Sequence, residues 1–209
     1  ETGLLTSCSD YHIFEKLKFK SRRQCMDAYC KIVAEAFEAG IRPRCHLEDI
    51  TRADVEGFVL PFVERLMRMS EQVPEDMSVK IRMCDTMGFG LNFPGVALPR
   101  SVPKLVYKMN QEVGVPSHRL EWHGHNDFHK VHINGFTAWL YGCDALNTTL
   151  FGYGERTGNP PLEGAIFEYV GVKHDLCGIR TEMITELAAY MQSIGFPIPD
   201  NYPFVGKNF

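Results

Sequence analysis

The sequence predicts an α/β fold built on a parallel sheet, of the (β/α) barrel kind. Short strand-like runs alternate with amphipathic helical segments at the spacing of repeated strand-helix units. Polar or ionisable residues recur at one end of those runs, at Ser7, Glu48, Asp85 with Thr86, and His123 with His125, and Asn159 stands just beyond the last. Such recurrence at the C-terminal ends of parallel strands is how a barrel assembles a site, and the opposite ends show no such clustering. Finally, His123-Gly124-His125 closes the run Leu120-Glu121-Trp122. In extended backbone, residues i and i+2 face one side, so both imidazoles can reach one ion.

The first strand is read over Gly3 to Ser7. Ser21 then caps a helix, with Gln24 as its capping-box partner; the helix carries Met26, Tyr29, Ile32, Val33 and Phe37 and stops at Gly40. A second strand over Arg44 to Glu48 precedes a helix from Asp54 to Met69, whose Phe58, Phe62, Leu66 and Met69 form one apolar stripe. The third strand, Val79 to Cys84, runs into Asp85-Thr86-Met87-Gly88, with a helix over Val102 to Val113. Leu120 to His125 is the fourth strand and Lys130 to Tyr141 its helix. Ala145 to Phe151 is the fifth strand, and a short helix after Pro160-Pro161 covers Ile166 to Val170. From His174 the pattern changes to a single helix, Thr181 to Ile194, and a proline-rich run with no sheet to join, which reads as the start of another module.

Composition limits the function. With 44% hydrophobic and 23% charged residues over 209 positions, the chain can bury a sizeable core. A formal charge of -4 gives no basic field for nucleic acid. Seven scattered cysteines without a Cys-x-x-Cys pair read as reduced cytosolic thiols, so a cytoplasmic location is expected. No apolar run approaches the roughly 20 residues that cross a bilayer, and no leader is evident. The sequon Asn147-Thr148-Thr149 is therefore taken as chance. The glycines at 152, 154 and 158 lack the spacing of a dinucleotide fingerprint. With His123 and His125, the amide of Asn159 at the next strand end makes a mixed nitrogen and oxygen donor set. It suits manganese, cobalt, zinc or magnesium.

Five motifs in order carry a resemblance: Ser7-Cys8-Ser9-Asp10-Tyr11-His12, Glu48-Asp49-Ile50-Thr51-Arg52, Asp85-Thr86-Met87-Gly88, His123-Gly124-His125-Asn126-Asp127 and Gly154-Glu155-Arg156-Thr157-Gly158-Asn159. Over essentially its whole length the chain resembles the metal-dependent acyltransferases that include 2-isopropylmalate, homocitrate and Re-citrate synthases, relatives of 3-hydroxy-3-methylglutaryl-CoA lyase. Glu121 to Lys130 and Gly158 to Glu163 are most similar to the Re-citrate synthase branch.

The resemblance implies strands four to eight of an eight-stranded barrel over residues 1–173 and the start of a C-terminal helical subdomain over 174–209. It also implies a missing first-strand Arg-Asp motif, whose aspartate would be a further metal ligand, and a catalytic histidine beyond Phe209. The partners implied are acetyl-CoA and a 2-oxo acid, in a homodimer, with no nucleic acid or membrane. The reaction implied is a metal-dependent Claisen condensation, with oxaloacetate the favoured acceptor and 2-oxoglutarate and 2-oxoisovalerate next.

His123, His125 and Asn159 would hold the metal. Glu48 stands where the family has an acidic residue near substrate, to orient it or relay a proton; the other reading is an ion pair with Arg44 or Arg52. Thr86 would bind the acceptor carboxylate or else cap a strand end. Ser7 and His12 would contact the acceptor's variable end, unless His12 is simply solvated. Arg156 is read as a loop tie to Glu155 or Asp127, and Asp85 as an internal partner for a histidine or arginine. His129 and His132 are read into the following helix, facing solvent or a neighbouring loop. Two alternatives stand beside synthesis. One is a hydroxyacyl-CoA lyase, against which the absence of a cysteine from Phe151-Gly152-Tyr153-Gly154 argues. The other is a noncatalytic fragment, which would expose strand edges and an apolar barrel interior.

Overall fold

Five strands, each followed by helix, form one parallel sheet in sequential order in the computed structural model, which describes residues 1–208. Phe209, the last position of the expected second module, lies outside the described residues. The strands are β1 (Thr2–Leu5), β2 (Pro43–Leu47), β3 (Lys80–Asp85), β4 (Leu120–Gly124) and β5 (Ala145–Leu146). The helices are α1 (Arg22–Glu38), α2 (Leu60–Ser70), α3 (Val102–Tyr107), α4 (Val131–Leu140), α5 (Leu162–Lys173) and α6 (Met183–Ser193). All five strands are parallel and joined by helical crossovers, the arrangement of an incomplete (β/α) barrel. Among the described residues, no helix is long and apolar enough to cross a membrane.

Local chemistry explains the boundaries. Ser21 Oγ accepts from Gln24 N at 3.1 Å, capping α1, but the Gln24 side chain reaches back to Lys20 N at 2.8 Å rather than to the cap itself. A wider helical turn, Val55–Val59, leads into α2, so the stripe begins in that turn; Phe58, Phe62 and Leu66 are fully buried and Met69 partly so. The fifth strand is shorter than the reading to Phe151. Beyond Leu146 one further ladder bond, Asn147 N to Trp122 O, is made before the chain turns through Leu150–Gly152, where Phe151 takes a left-handed φ of 51°. The short helix expected after Pro161 instead runs the full length of α5.

One face of the sheet packs against the helices through Cys45, Leu47, Ile81, Met83 and Trp122, all fully buried. The other face is not apolar, contrary to the expected barrel interior. Register places His46, Arg82 and Glu121 in one row, and by continuation Glu48, Cys84 and His123 in the next. At the opposite strand ends, where no polar clustering was expected, Glu121 accepts from Arg82 Nη2 at 2.7 Å and lies 3.3 Å from both Arg44 Nε and Lys80 Nζ, and Glu1 joins Arg44. Strand alternation marks two faces, but both faces of a barrel strand are enclosed, so polarity need not mean solvent.

A second apolar cluster, Phe151, Ile184, Ala188 and Ile198, lies apart from the main core. The proline-rich run thus packs on α6 and the turn after β5. It is pinned there by Tyr202, whose hydroxyl donates to Glu163 Oε1 at 2.6 Å.

Candidate metal centre

β4 ends so that the two imidazoles meet: His123 Nε2 and His125 Nε2 are 3.1 Å apart. Two nitrogens bound to one ion at about 2.1 Å would show that separation at a ligand angle of about 95°. The His123 ring is fixed by Asn147, one residue beyond β5, whose Oδ1 accepts from Nδ1–H at 2.7 Å and leaves Nε2 with its lone pair. Burial, with His125 and Arg82 nearby, keeps His123 below its usual pKa although Asn147 opposes this, so the ring stays neutral as a ligand must. His125 is 6% exposed, and its Nδ1 is buried without a partner.

Asn159 is buried and its Nδ2 donates at 3.0 Å to Gly124 O, the carbonyl between the two histidines. Its Oδ1 is the remaining donor and lies against Gly154, where a Cβ would collide with it. Asn159 N donates to Gly152 O, which fixes the loop's return. The two imidazole nitrogens, one with its tautomer set, fit a divalent cation, and the Asn159 carboxamide is held on the carbonyl of the residue between them.

Around this centre the other expected residues take varied places. Glu48 follows β2 and is paired with neither Arg44 nor Arg52. Arg44 goes to Glu1 and Glu121, and Arg52 to Asp49. Burial raises the Glu48 carboxyl above its usual value, opposed by Cys84, Lys16 and His125. Thr86 Oγ1 accepts from Asp49 N at 2.8 Å, so the hydroxyl already caps a strand end. Ser7 is buried, and its carbonyl accepts from Tyr29 Oη at 3.0 Å. His12 is also buried rather than solvated, with Nε2 3.8 Å from Asp49 Oδ2, and burial lowers its pKa. Among the described residues Asp85 has no histidine or arginine partner; it accepts from Thr51 Oγ1 at 2.8 Å and Gly90 N at 2.9 Å.

Arg156 pairs with both Asp127 and Glu155 and also donates to Thr86 O at 2.5 Å. His129 sits before α4 with φ 55°, outside the helix to which it was assigned, and His132 of α4 pairs with Glu168 of α5 at 3.1 Å. A cleft of about 420 Å³ lined by His129, His132, Glu163 and Tyr202 does not include either histidine of the centre.

Sequence reasoning missed Asn147, His46, Arg82 and Cys84. For Asn147 the signal was register: Leu146 pairs with Trp122, which places the next residue level with His123.

The HMGL-like family model matches residues 2–190. Citrate (Re)-synthase of Syntrophus aciditrophicus (strain SB) is 56% identical over all of this chain and 33% of its own length. That of Clostridium kluyveri is 52% identical over all of this chain and 46% of its length. The 2-phosphinomethylmalate synthase of Streptomyces hygroscopicus is 38% identical over all of this chain and 47% of its length. The chain thus spans about a third to a half of these curated relatives.

Among solved structures, hydroxymethylglutaryl-CoA lyase from Pseudomonas aeruginosa superposes with a TM-score of 0.64 at 17% identity, covering 92% of this chain and 62% of that one. An HMG-CoA lyase from Acinetobacter baumannii in complex with coenzyme A and 3-methylmalate gives 0.66 at 15% identity, covering 99% and 66%. Motif order, barrel topology and the family match lead to one assignment: the chain belongs to the HMGL-like family.

Proposed function

We propose that this chain is part of an acyltransferase that condenses acetyl-CoA with a 2-oxo acid, with oxaloacetate as acceptor and citrate as product, at a divalent metal held by His123, His125 and Asn159. The observation that carries the reading is the 3.1 Å approach of the two Nε2 atoms with Asn147 fixing the His123 tautomer. The relatives named citrate (Re)-synthase support the choice of acceptor.

A bound divalent ion would supply Lewis-acid polarisation of the acceptor's carboxylate and ketone oxygens. Glu48, whose half-buried carboxyl holds its proton more tightly than usual, is suited to move a proton at the acetyl methyl carbon as the new carbon–carbon bond forms. Thr86, Ser7 and His12 would position the acceptor. The loop from Leu150 to Asn159 contains no cysteine, which favours synthesis over the lyase reading.

The same reading brings a homodimer and a cytoplasmic location. It also brings a boundary near residue 174, which the separate cluster around Ile184 and Ile198 supports. The test is thiol release from acetyl-CoA with oxaloacetate, 2-oxoglutarate and 2-oxoisovalerate, using the protein that carries this chain. Oxaloacetate should give the fastest release, abolished by chelator and restored by manganese, cobalt, zinc or magnesium. Turnover indifferent to chelator would remove the metal from the proposal.

A further inference from the structure

The row that contains His123 also contains Glu48 and Cys84, with His46 one step below on β2. A ring nitrogen of His46, a carboxylate oxygen of Glu48 and Cys84 Sγ all lie within 4.8 Å of one another. His46 Nε2 is buried without a hydrogen-bond partner, and the Cys84 thiol, 1% exposed, makes a long 3.6 Å contact to Arg82 O and hydrogen-bonds the Glu48 carboxylate through the proton a metal ion would displace. Donors around a four-coordinate ion with bonds of about 2.0–2.3 Å stand roughly 3.3–3.8 Å apart. Side-chain adjustments of about 1 Å would therefore close the three onto one ion. Imidazole, carboxylate and thiol together favour zinc or cobalt over magnesium or calcium.

We propose that His46, Glu48 and Cys84 form a second cation site, selective for a thiophilic divalent ion such as zinc, whose filling withdraws Glu48 from catalysis. Binding replaces the Cys84 S–H bond with a sulfur–metal bond and releases that proton to solvent. His46 is neutral and ready to donate its lone pair: burial, with Arg82 and Arg44 close by, pushes its pKa down to about 4. The inhibitory consequence rests on the proposed role of Glu48, whereas the site itself does not.

Cobalt(II) titration separates this site from the one at His123 and His125, because only this one offers sulfur. The protein should take up two equivalents, with a sulfur-to-cobalt charge-transfer band in the near ultraviolet. The band should persist in His123→Ala and vanish in Cys84→Ser and His46→Gln, with far-ultraviolet circular dichroism showing that both variants fold. Excess zinc should inhibit acetyl-CoA consumption at least tenfold in the parent protein and less than twofold in Cys84→Ser. Absence of the band at saturating cobalt, or its survival in Cys84→Ser, overturns the site. A protein that shows the band but no synthase activity with any acceptor keeps the site and loses only the inhibition, along with the proposed reaction.

Discussion

The His123 ring and the Asn147 carboxamide are joined across β4 and the end of β5 by a 2.7 Å hydrogen bond, and this contact decides which ring nitrogen is free. Removing it in Asn147→Ala leaves Nδ1 to compete as the lone-pair atom. Metal affinity should fall by about 10–100-fold, the usual cost of losing a group that orients a ligand. Competition against a chromogenic chelator measures this directly, and Asn147→Asp, which keeps the acceptor, should retain most of the affinity.

Gly88 faces the same centre from the turn after β3. Its φ is +68°, and a Cβ there would stand 2.8 Å from His125 O. Gly88→Ala meets both backbone strain and a rigid carbonyl, so a loss of about 1–3 kcal/mol is expected. Urea unfolding would show this as a lower midpoint at unchanged slope.

Arg156 spans Asp127, Glu155 and the Thr86 carbonyl. Lysine keeps the charge but not the planar fork, so Arg156→Lys should loosen the Asn159 loop against the turn after β3. Because the guanidinium is 32% exposed, the stability cost should stay within about 1 kcal/mol. The rate should respond more: kcat/KM falls roughly tenfold, since small misplacements at a reacting centre weigh heavily. Equal kcat/KM for the two proteins would assign the arginine to stability alone.

Glu121 governs acid stability. Burial alone would raise its carboxyl, but Arg82, then Arg44 and Lys80, outweigh burial and hold it below the usual value. A depressed folded pKa means stability that is present above the unfolded value, about 4.3, and lost as pH falls through the folded one. Unfolding free energy should therefore decline below about pH 4.3, and less steeply in Glu121→Gln. Parallel pH profiles for the two proteins would contradict this.

How far the sequence could be read depended on whether the signal was local. The two histidines could be paired from sequence because a period of two puts them on one face of β4. The α1 cap could be read because Ser21 and Gln24 are three apart. Asn147 escaped because its role comes from the register of a two-residue strand, which nothing in its neighbours specifies. His46 and Arg82 escaped for another reason. Their alternation with Cys45 and Met83 marks two faces correctly, but the inward face was expected to be apolar, as in barrels filled by branched side chains. The row of Arg82, Glu121 and His46 fills it with ions and hydrogen-bonding groups instead. The β5 boundary was overrun because Thr148 to Phe151 has strand-like composition, while the turn there is set by distant Pro160 and Pro161, whose segment hydrogen-bonds Thr149.

Glu163 has two carboxylate oxygens, and the fold uses one on each side. Oε2 grips the backbone of Phe151, next to the Gly152 carbonyl that anchors Asn159, while Oε1 grips the Tyr202 hydroxyl in the tail. Glu163 thus gears the tail to the carboxamide at the mouth of the barrel, alongside Tyr153, whose hydroxyl donates to Pro197 O, and the packing of Phe151 against Tyr202. A force that drew Tyr202 away would reach Asn159 through only a few bonds, and a tug on the tail would register as a change in how firmly that carboxamide is held.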